Sequence, residues 1–395
     1  MTWEQVSAGA VQCCRTLWQA GFDAYPVGGC VRDTLLGRMP GDWDVTTSAL
    51  PEQVTALFEH VVQTGVKHGT VTVVLEDEHI EVTTFRGESG YSDGRHPDAV
   101  RFDATLEQDL ARRDFTINAM ALAPDGTVID LFGGLADLDK KIIRCVGQPE
   151  QRFAEDGLRM FRAVRFGAQL GFELTQDTIE AIHSCARGAE RIAAERVRVE
   201  LEKTLCSDRP EEAIQFFLLG LMTRWAKGAP TDLGCLQHLP AAPLVRWAGL
   251  CAGLLQNECI EKAADFLEGL RLDRRTIHAC EAGEMLWRSG LPDNDTDWRR
   301  ALARYGTDSC RAGAAVETVC GQGSVLDQLE QIIAQRPCIS AEGLALSGGA
   351  LFGMGLRGEQ IGRAQRWLLE HVLVCPEDNL SEILKLKLKE FLSHS

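Results

Sequence analysis

The sequence predicts an α+β protein in which a small head of mixed strands and helices precedes an elongated, all-helical remainder. Up to about residue 140, short runs rich in Val, Ile and Thr alternate with amphipathic stretches. Beyond that point strand signals almost vanish, and apolar residues recur at helical spacing to the C-terminus. The 395 residues exceed what one core normally supports. Breaks in the pattern complete a predicted division into four parts, at 1–139, 140–205, 206–321 and 322–395.

Local signals justify the individual elements. One predicted helix ends at Gly37, and another begins with Pro51 and Glu52 in its first turn. An acidic turn between two β-rich runs and the turn around Gly126 each indicate a hairpin. The predicted order is helix 3–20, strand 23–27, helix 31–36, strand 43–47, helix 50–58, strands 70–75 and 79–85, a helical stretch 106–121, and helices 153–166, 176–185, 193–205 and 210–219.

Composition and charge indicate whether the protein is a membrane, secreted or nucleic-acid-binding protein. No apolar run approaches the ~18–20 residues that span a bilayer, and the N-terminus lacks the layout of a signal peptide. The fourteen cysteines are scattered without a C-x-x-C pair, which is typical of reduced thiols in a cytoplasmic protein. The net charge of −16 opposes indiscriminate nucleic-acid binding, but residues 140–169 hold seven Lys or Arg against three acids. We therefore expect a cytoplasmic protein with no membrane partner and one local basic patch.

A glycine pair stands where a strand turns into a helix. Gly28 and Gly29 would let backbone N–H groups approach a phosphate closely, and Arg32 could add a charge-assisted contact to the same group. No Gly-Lys-Ser/Thr follows, so this is not a Walker loop. The alternative interpretation is a simple tight turn between strand and helix.

Three acidic residues form a candidate metal site. Asp42 and Asp44 stand at i and i+2 of a predicted strand, so both carboxylates point to one face. Oxygen ligands of this kind suit Mg²⁺, which takes its remaining ligands from water and substrate phosphates. Glu81, between two core-facing residues of a later strand, could supply a third carboxylate. We therefore predict Asp42 and Asp44 as metal ligands and all three residues as catalytic.

Four motifs together resemble a known family. They are Gly28-Gly-Cys-Val-Arg-Asp33, Asp42-Trp-Asp44, Arg112-Arg-Asp-Phe-Thr-Ile-Asn-Ala-Met120 and Glu155-Asp-Gly-Leu-Arg-Met-Phe-Arg-Ala-Val-Arg-Phe166. In content, order and spacing they resemble the class II tRNA nucleotidyltransferases and bacterial poly(A) polymerases. The resemblance covers residues 20–205 and is thin beyond residue 206. It implies a polymerase-β-like nucleotidyltransferase head followed by a helical neck, body and tail.

The resemblance also implies roles for the third motif. It makes Arg113 and Asp114 contacts to the ribose of the incoming nucleotide, with Asn118 as a nearby support. A carboxylate that accepts from a 2′-hydroxyl is chemically sensible, because that group separates NTP from dNTP. The alternative is an ordinary helix N-terminus with an acidic first turn.

The fourth motif is predicted to read the base. Asp156 accepts from an exocyclic amine and Arg159 donates to ring nitrogens and carbonyls, which matches cytosine and adenine but not uracil or guanine. Their spacing from each other and from Glu155 would put all three on one helical face. Arg162 and Arg165 of the same basic segment complete the predicted nucleotide site. An ordinary surface ion pair is the competing interpretation.

The next motif, at 195–203, is interpreted mainly as a brace for this helix. In it, Arg196 and Glu200 stand at i and i+4 and are expected to pair, and Lys203 is a possible RNA contact.

The leading hypothesis is template-independent addition of CCA to the 3′ end of tRNA from CTP and ATP, with Mg²⁺ and release of pyrophosphate. Residues 88–98 resemble the segment that accompanies addition of the final A in the family. The alternatives are a poly(A) polymerase, a CC-only or A-only enzyme, and an inactive RNA-binding module. The three-carboxylate cluster argues against the inactive module, because such a cluster is costly to keep without a use. DNA is not an expected partner.

Overall fold

The computed structural model describes residues 1–65, 69–76, 78–89, 99–102, 104–321 and 325–393. The chain forms two units, the first made of Met1–Thr204 with Gln215–Arg224 and the second of Leu205–Ile214 with Trp225–Ser395. This division is coarser than the predicted four parts, which remain a prediction.

A mixed five-stranded sheet organises the first unit, in the order β1-β2-β5-β4-β3. Strand β2 pairs parallel with β5, and the other neighbours are antiparallel. The parallel register sets Asp44 opposite Glu81, as two residues on one face of the sheet. The strands of this sheet are β1 (Ala24–Pro26), β2 (Trp43–Thr47), β3 (Val61–Gly65), β4 (Thr70–Leu75) and β5 (Glu78–Thr84).

The sequence anticipates this sheet well. The strands at 23–27, 43–47, 70–75 and 79–85 are confirmed, as is the hairpin that joins β4 to β5. Val45, Val71 and Val82 are almost fully buried, but β2 and β4 also bury neighbouring threonines and do not alternate strictly between core and solvent. The edge strand β3 was not predicted. Asp42 precedes β2 rather than lying within it.

The described residues of the first unit also form three short strand pairs. They are β6 (Gly87–Ser89) with β7 (Ala99–Arg101), β8 (Met120–Leu122) with β9 (Val128–Asp130), and β10 (Ile142–Ile143) with β11 (Glu173–Leu174). The pair β8–β9 confirms the hairpin predicted around Gly126.

Helices surround the sheet and continue beyond it. Helix α1 packs on β1, β2 and β5 through Ala10, Cys13 and Leu17. The helices up to residue 224 are α1 (Ala8–Gln19), α2 (Gly29–Leu35), α3 (Pro51–Leu57), α4 (Leu106–Ala111), α5 (Gly134–Lys140), α6 (Pro149–Glu155), α7 (Leu158–Leu170), α8 (Gln176–Cys185), α9 (Ala194–Leu205) and α10 (Ile214–Leu218).

Two helix predictions are wrong in ways that concern the site. The helical stretch expected from 106 to 121 ends at Ala111, because Asp114 instead accepts a hydrogen bond from the Phe115 amide and Met120 begins a strand. The single helix expected over 153–166 is broken at Asp156 and Gly157. Asp156 is extended, and its side chain accepts from the Leu158 amide at the start of α7.

The second unit is helical. Its helices are α11 (Pro243–Gln256), α12 (Ala263–Gly269), α13 (Arg274–Arg288), α14 (Asp295–Cys320), α15 (Leu326–Ala334), α16 (Gly348–Gly353), α17 (Glu359–Val374) and α18 (Ser381–Ser393). Trp247 and Trp298 are fully buried, as expected of core residues. Helix α14 is kinked at Gly306, whose φ of 80° departs from the helical region. No described helix combines the length and apolarity that a membrane span needs.

Candidate functional site

A cavity of about 480 Å³ in the first unit gathers most of the predicted site residues. Eight of its lining residues are Arg or Lys and four are Asp, an excess of positive charge on a protein whose net charge is −16. Such a wall favours a polyanion. The lining residues are Gly29, Arg32, Asp42, Asp44, Arg112, Arg113, Asp114, Asn118, Asp156, Leu158, Arg159, Arg162, Arg165, Phe166, Arg196 and Lys203.

Position 28 requires glycine for two reasons, its backbone conformation and the close approach of Arg113. Gly28 has a φ of 84°, which side chains rarely tolerate. A Cβ at this position would stand 2.8 Å from Nη1 of Arg113. The turn therefore lets the Arg113 guanidinium lie directly against the backbone, next to Gly29 at the cavity wall.

Arg32 is buried and held from two sides. Its Nε and Nη2 donate to the two oxygens of Asp33 at 2.8 and 2.9 Å. Its Nη1 donates to Oδ1 of Asn118 at 2.6 Å. The guanidinium has five N–H groups, so some of them remain available to a further acceptor. Arg32 therefore enters the cavity as a fixed cation.

The carboxylates predicted as metal ligands meet at the strand β2. Asp42 is exposed, and Asp44 lies partly buried at the cavity wall, beside Glu81 in register. Burial, together with the charges of Asp42 and Glu81, raises the pKa of Asp44 to about 6, although Arg113 opposes this shift. A divalent cation would relieve this repulsion.

The residues present therefore fit a divalent cation. Among the described residues, no three His, Cys, Asp or Glu side chains are grouped closely enough to hold a metal by themselves. Asp42 and Asp44 instead suit an ion that completes its shell with water and substrate phosphates. Glu81 does not line the cavity as Asp42 and Asp44 do, and its catalytic role stays a prediction.

Asp114 is buried with three hydrogen bonds and an ion pair. Oδ1 accepts from the Phe115 amide and from Asn118, and Oδ2 accepts from Nε of Arg162 at 2.7 Å, with Nη2 of the same guanidinium 2.6 Å away. Burial alone would raise the pKa of Asp114, but Arg162 and Asn118 outweigh it and hold the pKa at about 2. Asp114 is therefore ionised at neutral pH, and both of its oxygens already accept from protein donors.

Asp156 and Arg159 line the cavity but have separate protein partners. The Asp156 carboxylate receives both Nη groups of Arg196, at 3.2 and 2.8 Å. Arg159 donates to Glu155 at 2.6 Å and to the Arg112 carbonyl at 2.8 Å. Because the helix is broken at Asp156, the predicted common helical face of Glu155, Asp156 and Arg159 is wrong.

The expected pair between Arg196 and Glu200 is also wrong. Glu200 instead accepts from Nε of Arg165 at 2.5 Å, across two helices. Arg165 is buried, and burial lowers its pKa despite the charge of Glu200. Both arginines thus bind a carboxylate of another helix or loop, and Arg165 also donates to Gln169 on its own helix at 2.7 Å.

The aromatic ring of Phe166 makes cation–π contacts with three guanidinium groups. The guanidinium carbons of Arg165, Arg32 and Arg162 lie 4.0, 5.0 and 5.3 Å from its ring centroid. Phe115 packs edge-on against the same ring. The attraction between each cation and the ring partly offsets the repulsion among the three guanidinium groups.

Eleven of the thirteen residues predicted for the site line the cavity, the exceptions being Gly28 and Glu81. Sequence reasoning missed the cavity positions of Arg112, Leu158 and Phe166, and it gave Arg196 and Lys203 only secondary roles. Arg112 and Phe166 stand inside the quoted motifs, so the signal was present but was not assigned to them. Residues 90–98, most of the segment linked to the final A, lie outside the described residues.

Comparison with known proteins gives consistent results. Residues 24–144 match the family model of the poly A polymerase head domain, and residues 171–217 match that of a probable RNA and SrmB-binding site of polymerase A. The CCA-adding enzyme of Limosilactobacillus fermentum is 39% identical over 365 residues, 90% of each chain. That of Bacillus velezensis is 38% identical over 403 residues, 99% of this chain and 98% of the other.

A solved structure agrees over nearly the whole chain. The CCA-adding enzyme of Bacillus stearothermophilus in complex with CTP has a TM-score of 0.77 at 33% identity, and covers 98% of this chain and 97% of its own.

Proposed function

Because this chain belongs to the family of CCA-adding enzymes, we propose that it adds C, C and A to the 3′ end of tRNA from CTP and ATP, with release of pyrophosphate. The observation that carries this function is the cavity in which Asp42 and Asp44 face eight basic residues. In this cavity two carboxylates that suit a metal ion lie beside basic residues that suit a triphosphate. The same cavity holds side chains that suit the base edges of cytosine and adenine.

The triphosphate is proposed to bind along the glycine turn. Gly29 and the guanidinium groups of Arg32 and Arg113 stand together at one wall of the cavity, close to Asp44. Charge-assisted hydrogen bonds from fixed guanidinium groups orient a phosphate with little reorganisation. Asp33 and Asn118 support this arrangement because they hold Arg32 in place.

Enzymes of this family depend on metal ions, and we propose Mg²⁺ held by Asp42 and Asp44, with Glu81 beside them. Bound divalent cations would lower the pKa of the attacking 3′-hydroxyl and stabilise the charge that develops on the departing pyrophosphate. The two aspartates contribute the oxygen ligands and the negative potential, while the surrounding arginines balance the charge of the nucleotide.

Selection of the base is assigned to Asp156 and Arg159. Asp156 accepts hydrogen bonds, and Arg159 donates them, so the pair complements the amine and the ring nitrogen that cytosine and adenine both present. Arg196 holds the Asp156 carboxylate with two parallel bonds and so fixes its orientation. Arg162 lies on the same helix as Arg159 and contacts Asp114.

Recognition of the ribose is assigned to Arg113, Asp114 and Asn118. Both oxygens of Asp114 already accept from protein donors, so a 2′-hydroxyl would bind beside, share or replace one of its bonds with Asn118 or Arg162. Binding of the ribose is thus linked to the position of Arg162.

We further propose that the helical second unit binds tRNA by shape and backbone contacts, and that the protein works in the cytoplasm.

A gel assay tests the function directly. Purified protein with Mg²⁺ is given three tRNA transcripts, which lack CCA, end in CC or already end in CCA, each with CTP, ATP or both. We expect addition of C, C and A that then stops. Long A tails would identify a poly(A) polymerase, a halt after CC or activity only on the CC-ended RNA would identify a partial enzyme, and no incorporation would refute nucleotidyl transfer.

A further inference from the structure

We propose that Asp109 is a positioning residue for the incoming nucleotide, because it holds the guanidinium groups of Arg112 and Arg113 at the wall of the cavity. The proposal rests on the function proposed above, since it concerns the same site. Asp109 does not line the cavity itself and would act only through these two arginines.

Burial makes Asp109 unusual among the carboxylates near the site. Its side chain is fully buried on the short helix α4. An isolated ionised carboxylate in such a place is very costly, so its partners decide whether it is tolerated. Arg112 donates to Oδ1 from Nε at 3.0 Å and from Nη2 at 2.8 Å, and Nη2 of Arg113 lies 3.4 Å from Oδ2.

Two further contacts tie Asp109 to the sheet. The hydroxyl of Thr46 donates to Oδ2 at 3.1 Å, and the backbone amide of Arg86 reaches Oδ1 at 3.5 Å. Thr46 lies on β2, two residues after Asp44. Asp109 therefore connects the strand of the catalytic carboxylate to the two arginines.

The direction in which Arg113 points gives these contacts a functional meaning. Its Nη1 lies against the backbone of Gly28, and its charge lowers the pKa of Asp44, so it stands between the glycine turn and the metal-binding pair. Its Nε is buried and donates to no described protein group. A buried donor without a partner is costly, and an anionic ligand would satisfy it. Asp109 thus holds a cation with a spare donor where the triphosphate is proposed to bind.

The competing explanation is that Asp109 only stabilises the fold. Asp137 offers a matched control, because it is also a buried aspartate that accepts from a threonine hydroxyl and an arginine, here Thr116 at 2.6 Å and Arg144 at 3.1 Å. Neither partner of Asp137 lines the cavity. Loss of a buried charge pair should therefore destabilise both variants, but only the Asp109 variant should change nucleotide binding.

The experiment compares Asp109→Asn, a variant with both Arg112→Gln and Arg113→Gln, the triple variant that joins these three changes, and Asp137→Asn, all in the full chain. KM and kcat for CTP on a tRNA lacking CCA, CTP affinity by calorimetry without tRNA, and thermal unfolding are measured. We expect Asp109→Asn to raise KM and Kd for CTP about tenfold, as loss of a charge-assisted contact would. The triple variant should be no worse than the variant with both arginine changes, and Asp137→Asn should keep the wild-type KM.

Two results would overturn the proposal. One is an Asp109→Asn protein with wild-type KM and Kd, whatever its melting temperature. The other is a triple variant whose defect is the product of the Asp109→Asn defect and that of the two arginine changes, which would mean that Asp109 does not act through Arg112 and Arg113. If Asp109→Asn does not fold, Thr46→Val removes one fixed partner of the carboxylate without changing charge, and unchanged CTP binding in that variant also counts against the proposal. Calorimetry separates a failure of this proposal from a failure of the proposed function, because it measures CTP binding even if the protein transfers no nucleotide.

Discussion

Replacement of Asp44 by Asn should stabilise the metal-free protein while it abolishes nucleotide transfer. The pKa of Asp44 is raised from 3.8 to about 6, first by burial and then by the charge of Asp42. A carboxyl group whose pKa is higher in the folded state favours folding when protonated. Its contribution is therefore fully present below about pH 4 and is lost as the pH rises to about 6. Above that pH the ionised group costs about 3 kcal/mol, the equivalent of about two pKa units.

Hydrogen exchange of the peptide that contains β2, followed with increasing urea in EDTA, measures this cost. Asp44→Asn should resist more urea than wild type at pH 8, with a smaller gain at pH 5, where part of the wild-type Asp44 is protonated. Added Mg²⁺ should stabilise wild type more than the variant. The exposed residue Asp139 provides the control Asp139→Asn, which should behave as wild type. A variant that is equally or less protected than wild type at pH 8 in EDTA would refute the reasoning.

Four further predictions concern the same unit. Asp42→Ala should abolish transfer but keep tRNA affinity in a filter-binding assay, and normal turnover would exclude Asp42 as a metal ligand. Asp156→Ala should relax selection of CTP and ATP over UTP and GTP in competition assays; an unchanged ratio would remove it from base selection. Deletion of residues 90–97 should arrest addition after CC, and full CCA products would contradict this. Asp114, with its pKa of about 2, should stabilise the fold above about pH 4 and lose that effect as the pH falls towards 2. Urea titrations of wild type and Asp114→Asn should therefore converge near pH 2, and a constant difference would argue against an ionised Asp114.

Local patterns predicted the sheet because its strands are runs rich in Val, Ile and Thr that are bounded by turn signals. Strands β2, β4 and β5 carry these signals in their own residues, and β5 also alternates between buried and more exposed side chains, so their positions and the pairing of β4 with β5 followed from the sequence. The parallel pairing of β2 with β5, which sets Asp44 beside Glu81, joins distant segments and could only be assumed.

The errors arose where a single side chain or a distant partner decides the structure. Apolar spacing continues through the helix break, so periodicity could not show that Asp156 leaves the helix and that its side chain accepts from the first amide of the next one. The rule for neighbours at i and i+4 assigned Arg196 to Glu200, although its partner lies 40 residues earlier. The sequence does not single out Asp109 either, because an acidic residue in a first helical turn is common and its burial depends on the whole unit.

Because β2 and β5 pair in parallel, the length of the hairpin β4–β5 also determines which residue of β5 lies beside Asp44. A shift of β5 by one residue would exchange Glu81 for Ile80 or Val82 beside Asp44, and would turn a carboxylate into the core. Insertions or deletions in this hairpin would therefore harm chemistry and packing at once. Substitutions that leave its length unchanged would act on one or the other alone.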